Sequence, residues 1–122
     1  MRDWSAFENL RLRAGFIVAR VRTTDEPLID AIGREAVAQT SIIGRRFTIV
    51  IRAALSDEEV SISLYHEVLE AATVAALIAP AAVVMFNEAD FERAARLAHD
   101  QLGPASPENL DRMLQSYGFS EQ

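Results

Sequence analysis

One long segment, from Asp57 to about Ile78, constrains the fold more than any other stretch of this chain. Its apolar residues predict a helix that is hydrophobic around most of its surface. Ser56 is a favourable N-cap, and Glu59 follows three residues later, which completes a capping box at the start of the helix. Because a helix that is apolar on most sides is normally buried, we expect this helix to lie at the centre of the domain.

A single polar stripe interrupts that apolar surface. At about 100° per residue, the stripe covers a sector of roughly 120°. Its members are Glu59, Ser63, His66, Glu67, Glu70 and Thr73. His66 and Glu70 are four residues apart, so their side chains stand one above the other and could bind one metal ion. Glu67 could reach a water molecule at the same place. The alternative is an ordinary solvated face, and the spacing alone does not exclude it.

Composition narrows the chemistry that such a stripe can support. The chain has 122 residues, which fits one domain over residues 1–122, and a net charge of -6. That charge argues against nucleic acid and anionic membranes as partners. Because cysteine is absent, any metal must be held by His, Asp or Glu, and His66 and His99 are the two histidines. We see no signal peptide and no segment long enough to span a bilayer, so a cytoplasmic location is the default expectation.

The remaining patterns predict an α+β fold, with a small three-stranded sheet covered by helices. The first ten residues suggest a short helix or arm, docked through Trp4, Phe7 and Leu10. Two of the three predicted strands form a hairpin at Gly44-Arg45. The predicted elements are strands at Gly15 to Val21, Glu35 to Ile43 and Arg46 to Ile51, a helical turn from Asp25 through Ile32, and helices from Asn87 to Leu102 and from Ser106 to near Gly118.

The run from Phe47 to Glu67, FTIVIRAALSDEEVSISLYHE, resembles the strand, loop and active-site helix of small zincin metallopeptidases. The most similar groups are the ImmA/IrrE-like proteins and the minimal gluzincins. Their helix carries HExxH, in which two histidines bind zinc and the glutamate is the general base. Here the motif reads HEVLE. The resemblance therefore implies a zincin-like fold with a central active-site helix, His66 and Glu70 as metal ligands, and Glu67 as the catalytic residue.

Gluzincins take a third ligand from a glutamate on a later helix, often beside an asparagine. Glu88 follows Asn87 and lies 18 residues after Glu70, so the resemblance makes it the first choice. Glu92, one turn further along, is the second choice. His99 shares the side of that helix with Glu88 and Glu92, so it could serve as a ligand or orient one. Its alternative role is a boundary histidine bonded to water or to a main-chain carbonyl.

The resemblance implies a metal-dependent hydrolase, with a peptidase as the first choice, that acts on a peptide or protein. Glu70 in place of the second histidine lowers the net charge at the ion, so a water molecule there would be acidified less. Zinc is the first choice of metal, because the resemblance is to zincins. Oxygen-rich sites favour harder ions, so manganese or calcium are alternatives. A catalytically inactive zincin-like binding or regulatory module remains the alternative function.

Overall fold

The computed structural model describes residues 3–120 of the chain. Its architecture is α+β, with a mixed four-stranded sheet, a separate two-stranded sheet and three α-helices. The strands are β1 (Leu10–Arg11), β2 (Ile17–Thr24), β3 (Leu28–Ile29), β4 (Glu35–Ala36), β5 (Ala38–Ile43) and β6 (Arg46–Arg52), and the helices are α1 (Asp57–Ala75), α2 (Glu88–Leu102) and α3 (Pro107–Ser116). The predicted fold class is therefore confirmed at this level, and the order of strands before helices is as expected.

The larger sheet has the strand order β1-β2-β6-β5. The predicted hairpin is present, because β5 and β6 pair antiparallel from Ile43 opposite Arg46. β6 also pairs with β2 in parallel, which places it in the middle of the sheet. Its side chains alternate as expected for a strand covered on one face, with Phe47, Ile49 and Ile51 fully buried. The fourth strand, β1, was not predicted, because two residues are too few to show an alternating pattern.

The central helix α1 packs against β5 and β6 on one side and against α2 and α3 on the others. The capping box at its start is present, since the Ser56 hydroxyl accepts from the Glu59 amide and Glu59 accepts from the Ser56 amide. Most of its apolar residues are buried, including Tyr65, Val68 and Leu69. The helix is therefore enclosed by the other elements, as its composition predicts.

The predicted helical turn after Pro27 is wrong, because residues 28–36 form a small hairpin of β3 and β4. The carboxylate of Asp30 accepts hydrogen bonds from the backbone amides of Ile32 and Arg34, and this side-chain bonding competes with helix formation. Gly33 has φ +84, a conformation that glycine adopts without strain. The long strand predicted from Glu35 is consequently divided, since β4 pairs with β3 and β5 pairs with β6.

Helix α1 ends at Ala75, three residues before the predicted end, and Ala76 is extended. The following segment turns back towards the C-terminal residues, where Pro80 lies against Gly118 and Val83 is fully buried. The anchoring of Pro80 and Val83 is incompatible with a further turn of helix. As a result Leu77 and Ile78 project from the surface with about nine-tenths of their area exposed (91% and 90%).

The N-terminal residues form one turn of 3-10 helix, Ser5–Phe7, before β1. Phe7 is buried in the core, and Trp4 and Leu10 pack partly against it, as predicted for docking residues. The first long strand begins at Ile17 rather than Gly15, because Arg13–Gly15 forms a second turn of 3-10 helix. Within residues 3–120, no helix combines the length and the hydropathy needed to cross a membrane.

The Tyr65 hydroxyl fixes α1 against the loop after α2, because it donates a hydrogen bond to the carbonyl oxygen of Gly103 at 2.8 Å. We expect Tyr65→Phe to lower the free energy of unfolding by about 1 kcal/mol, since the half-buried carbonyl of Gly103 loses its donor. Urea denaturation at neutral pH measures this change. The control is Tyr117→Phe, whose hydroxyl has no hydrogen bond within residues 3–120 and whose effect should be smaller; equal effects would contradict this role for Tyr65.

Candidate metal centre

Part of the polar stripe of α1 faces an open groove that β5, the β3–β4 hairpin and the start of α2 enclose. Its volume is about 580 Å³. Glu67 and Glu70 line it from α1, and Glu88 lines it from α2. Thr40 and its neighbours on β5 form the opposite wall. Glu67 and Glu70 therefore lie on one side of a cleft large enough for a ligand, whereas Glu59 of the same stripe is exposed and Ser63 is buried.

His66 is largely enclosed, with 13% of its side chain exposed. Both ring nitrogens face carboxylates. Nε2 lies 3.2 Å from Oε2 of Glu88 and 3.7 Å from Oε1 of Glu70, while Nδ1 lies 3.0 Å from Oε1 of Glu92. The imidazole therefore joins α1 to α2, and its two edges have different partners.

Glu92 has the geometry of an orienting group rather than a ligand. Its Oε1 contacts Nδ1 of His66, and its Oε2 lies 3.0 Å from Nε of Arg96. A carboxylate on Nδ1 fixes the ring so that Nε2 is directed to the other side, as is typical of histidines that bind metals. Of the two candidates for the third ligand, Glu88 is thus on the Nε2 side and Glu92 is behind the ring.

Glu67 lies beside His66 and is held from the sheet. Its Oε1 accepts a hydrogen bond from the Thr40 hydroxyl at 2.8 Å. One carboxylate oxygen is therefore committed to β5, and the other remains available to the groove. Burial raises the pKa of Glu67, and the hydrogen bond from Thr40 and the charge of His66 oppose that effect.

The other ionisable groups share protons in the metal-free protein. Burial disfavours a charged His66, but hydrogen bonds with Glu70 and Glu92 and the charges of Glu67 and Glu70 outweigh it and raise the pKa of His66 to about 9. The hydrogen bond with His66 lowers the pKa of Glu70. A hydrogen bond with Glu70, burial and the charge of Glu70 raise the pKa of Glu88 to about 7. Protons on His66 and Glu88 therefore reduce the repulsion between the neighbouring carboxylates.

The donor atoms fit a divalent metal ion. One ligand atom from each of His66, Glu67 and Glu70 lies within 4.8 Å of the other two, so this group could hold a metal ion. Glu88 lies outside that group of three, and its contact with the cluster is the 3.2 Å separation of its Oε2 from Nε2 of His66. Imidazole nitrogen and carboxylate oxygen are also ligands that divalent ions accept.

His99 lies elsewhere. Its Nδ1 is hydrogen-bonded with the Ser61 hydroxyl at 2.7 Å, and Ser61 also accepts from the amide of Ala105. No hydrogen bond or ion pair within residues 3–120 joins His99 to His66 or to the glutamates around it. Its place is thus at the contact between α1 and the loop that precedes α3.

Sequence reasoning did not identify Thr40 or Arg96. Thr40 lies on the same face of β5 as Ala38, two residues earlier, but nothing in the sequence states which strand lies beside α1. Arg96 is four residues after Glu92, a spacing that places the two side chains on one face of a helix, so their ion pair could have been predicted from the sequence.

Searches against protein-family models, curated protein sequences and solved structures found no match to this chain.

The shifted pKa values predict how stability depends on pH in the metal-free protein. The pKa of His66 rises from 6.5 to about 9 on folding. Its contribution to the free energy of unfolding is therefore complete below pH 6.5 and is lost as the pH rises towards 9. Because the pKa of Glu88 is also raised, its contribution to stability likewise falls as the pH rises from 4.5 to about 7. We therefore expect the free energy of unfolding, measured with urea in the presence of a chelator, to fall between pH 6 and pH 9.

His66→Gln is the control for this measurement, because the substitution removes the group that titrates in the upper part of the range. Its unfolding free energy should depend less on pH between 7 and 9 than that of the wild-type protein. Identical pH dependence in the two proteins would contradict the assignment of the raised pKa to His66.

Proposed function

We propose that this chain is a zincin-like, metal-dependent hydrolase that acts on a peptide or protein, with Glu67 as the general base. The observation that supports this most is the position of His66 Nε2 between Glu70 of α1 and Glu88 of α2, two glutamates that line the groove together with Glu67. Three groups from two helices converge there, and a separate carboxylate lies next to them. Zinc is the proposed ion, with manganese or calcium as alternatives for an oxygen-rich set.

The residues around the proposed ion would have different roles. His66, Glu70 and Glu88 would hold the ion, and Glu92 with Arg96 would keep the imidazole in one orientation. The ion itself would supply the positive charge that acidifies a water molecule and polarises a carbonyl group. Thr40 fixes one oxygen of Glu67, which leaves the second oxygen to accept a proton from water.

For a peptide substrate, the oxygen of a water molecule beside Glu67 would form a bond to the carbonyl carbon, and the carbon–nitrogen bond would break. Glu67 takes the proton from the water and delivers it to the departing amine, so the carboxylate is restored at the end of the cycle. The raised pKa of Glu67 suits this role, because a carboxylate with a higher proton affinity is a stronger base near neutral pH.

Metal analysis and cleavage together test the proposal. After dialysis against zinc or manganese, the wild-type protein should retain about one equivalent of ion, and His66→Ala should retain far less. Glu67→Gln should keep the ion and lose hydrolysis of a tryptic peptide mixture followed by mass spectrometry. His99→Gln is the matched control and should retain both properties, because His99 is bonded to Ser61.

The outcomes separate the candidate functions. Retention of less than about half an equivalent of either ion contradicts the metal site. Retention of the ion without any cleavage that depends on Glu67 contradicts the hydrolase and supports a zincin-like binding or regulatory module instead.

A second measurement distinguishes the ligand from the orienting glutamate. We expect Glu88→Gln to weaken zinc binding more than Glu92→Gln, since Glu88 is on the Nε2 side of the ring. Removal of an orienting carboxylate typically weakens metal affinity by about 10- to 100-fold. Competition with a zinc-binding dye measures both affinities. A larger loss in Glu92→Gln would reverse the two roles.

A further inference from the structure

The turn of the β3–β4 hairpin lines the same groove as the candidate metal centre, and side-chain hydrogen bonds stabilise it. Asp30 Oδ1 accepts from the amides of Ile32 at 3.0 Å and Arg34 at 2.9 Å. The Gln39 side chain donates to the carbonyl of Ile29, which ties the hairpin to β5. Side chains on this turn are therefore presented to the groove from a defined backbone.

Arg34 is the basic residue among the described residues that line the groove. The other charged side chains there are all acidic, namely Asp30, Glu67, Glu70 and Glu88. The guanidinium of Arg34 does not pair with the three glutamates. Its Nε lies 3.4 Å from Oδ2 of Asp30, and 75% of the side chain is exposed. Arg34 is thus the basic side chain of an otherwise acidic groove.

The ion pair with Asp30 is made at Nε, and the terminal nitrogens of the guanidinium are left open. Within residues 3–120, neither Nη atom of Arg34 has an ion pair or a hydrogen bond. An arginine held at Nε presents a planar pair of donors that matches the two oxygens of a carboxylate. An acidic group would meet the positive charge of Arg34 there, beside Asp30, whereas the other charged groups of the groove are all glutamates.

We propose that Arg34 binds a carboxylate of the substrate and so determines its specificity, an inference that rests on the hydrolase proposed above. The peptide would lie across the groove, with an acidic group on Arg34 and a carbonyl near His66 and Glu67. The carboxylate has two possible sources, the C-terminus of a peptide or the side chain of an aspartate or glutamate. Either source presents the same bidentate acceptor to the guanidinium.

Three peptides separate these sources in a binding experiment. They are acetyl-tetra-alanine as the free acid, the same peptide as the amide, and acetyl-Ala-Ala-Glu-Ala-amide. Titrations followed by amide NMR use the full chain with a chelator present, which prevents metal-dependent cleavage. One or both acidic peptides should bind about tenfold more tightly than the neutral amide, as expected for a charge-assisted pair.

Variants of Arg34 test whether this residue causes the preference for acidic peptides. Arg34→Gln should abolish the preference for the acidic peptides, and Arg34→Lys should retain part of it because the charge remains. Arg93→Gln is the matched control, since Arg93 is similarly exposed and pairs with Asp90 at a site that does not line this groove. It should leave the preference unchanged.

Two results overturn the proposal for Arg34, namely equal or undetectable binding of all three peptides, and a preference that survives in Arg34→Gln. Zinc dialysis of the same preparations distinguishes this failure from failure of the proposed function. Zinc retention without carboxylate preference rejects the role of Arg34 alone. Carboxylate preference without zinc retention rejects the metal centre and leaves an anion-binding groove.

Discussion

The contact of one imidazole with carboxylates from two helices is the interaction on which the rest of this site depends. His66 contacts Glu70 of its own helix and both Glu88 and Glu92 of α2. Bringing three acidic groups together in a half-buried cleft is costly unless a positive charge lies among them. In the metal-free protein a proton on His66 supplies that charge, and a divalent ion bound to Nε2 would supply it in the loaded protein.

The sequence was most informative where periodicity and capping agreed. The capping box at Ser56, the apolar surface of α1 and the stripe with His66 placed the central helix and its polar side correctly, because these signals are local. The placement of Glu88 and Glu92 beside His66 needed the packing of α1 on α2, which the sequence suggests only through the resemblance to zincins. That these glutamates contact His66 is a finding about geometry, and the assignment to zincins stays a proposal.

Other features depended on contacts between distant residues and were not predictable in the same way. The side chain of Asp30 directs the chain into a turn where Pro27 suggested a helix, and the burial of Val83 ends α1 before Ile78. His99 satisfies the helical spacing to Glu88 and Glu92, yet the crossing of the helices directs its ring to Ser61. Thr40 reaches Glu67 only because β5 is the strand that lies beside α1.

The parallel pairing of β2 with β6 has a consequence for the groove. The chain between these neighbouring strands contains the β3–β4 hairpin and β5, so the hairpin is an excursion within the crossover and adds no strand to the main sheet. The entropic cost of closing such a connection grows only slowly with its length. Residues can thus be inserted or deleted at the hairpin tip while the register of β6 and the scaffold under α1 stay the same. The cleft could in this way acquire new ligand preferences, with its glutamates held in place by elements that do not change.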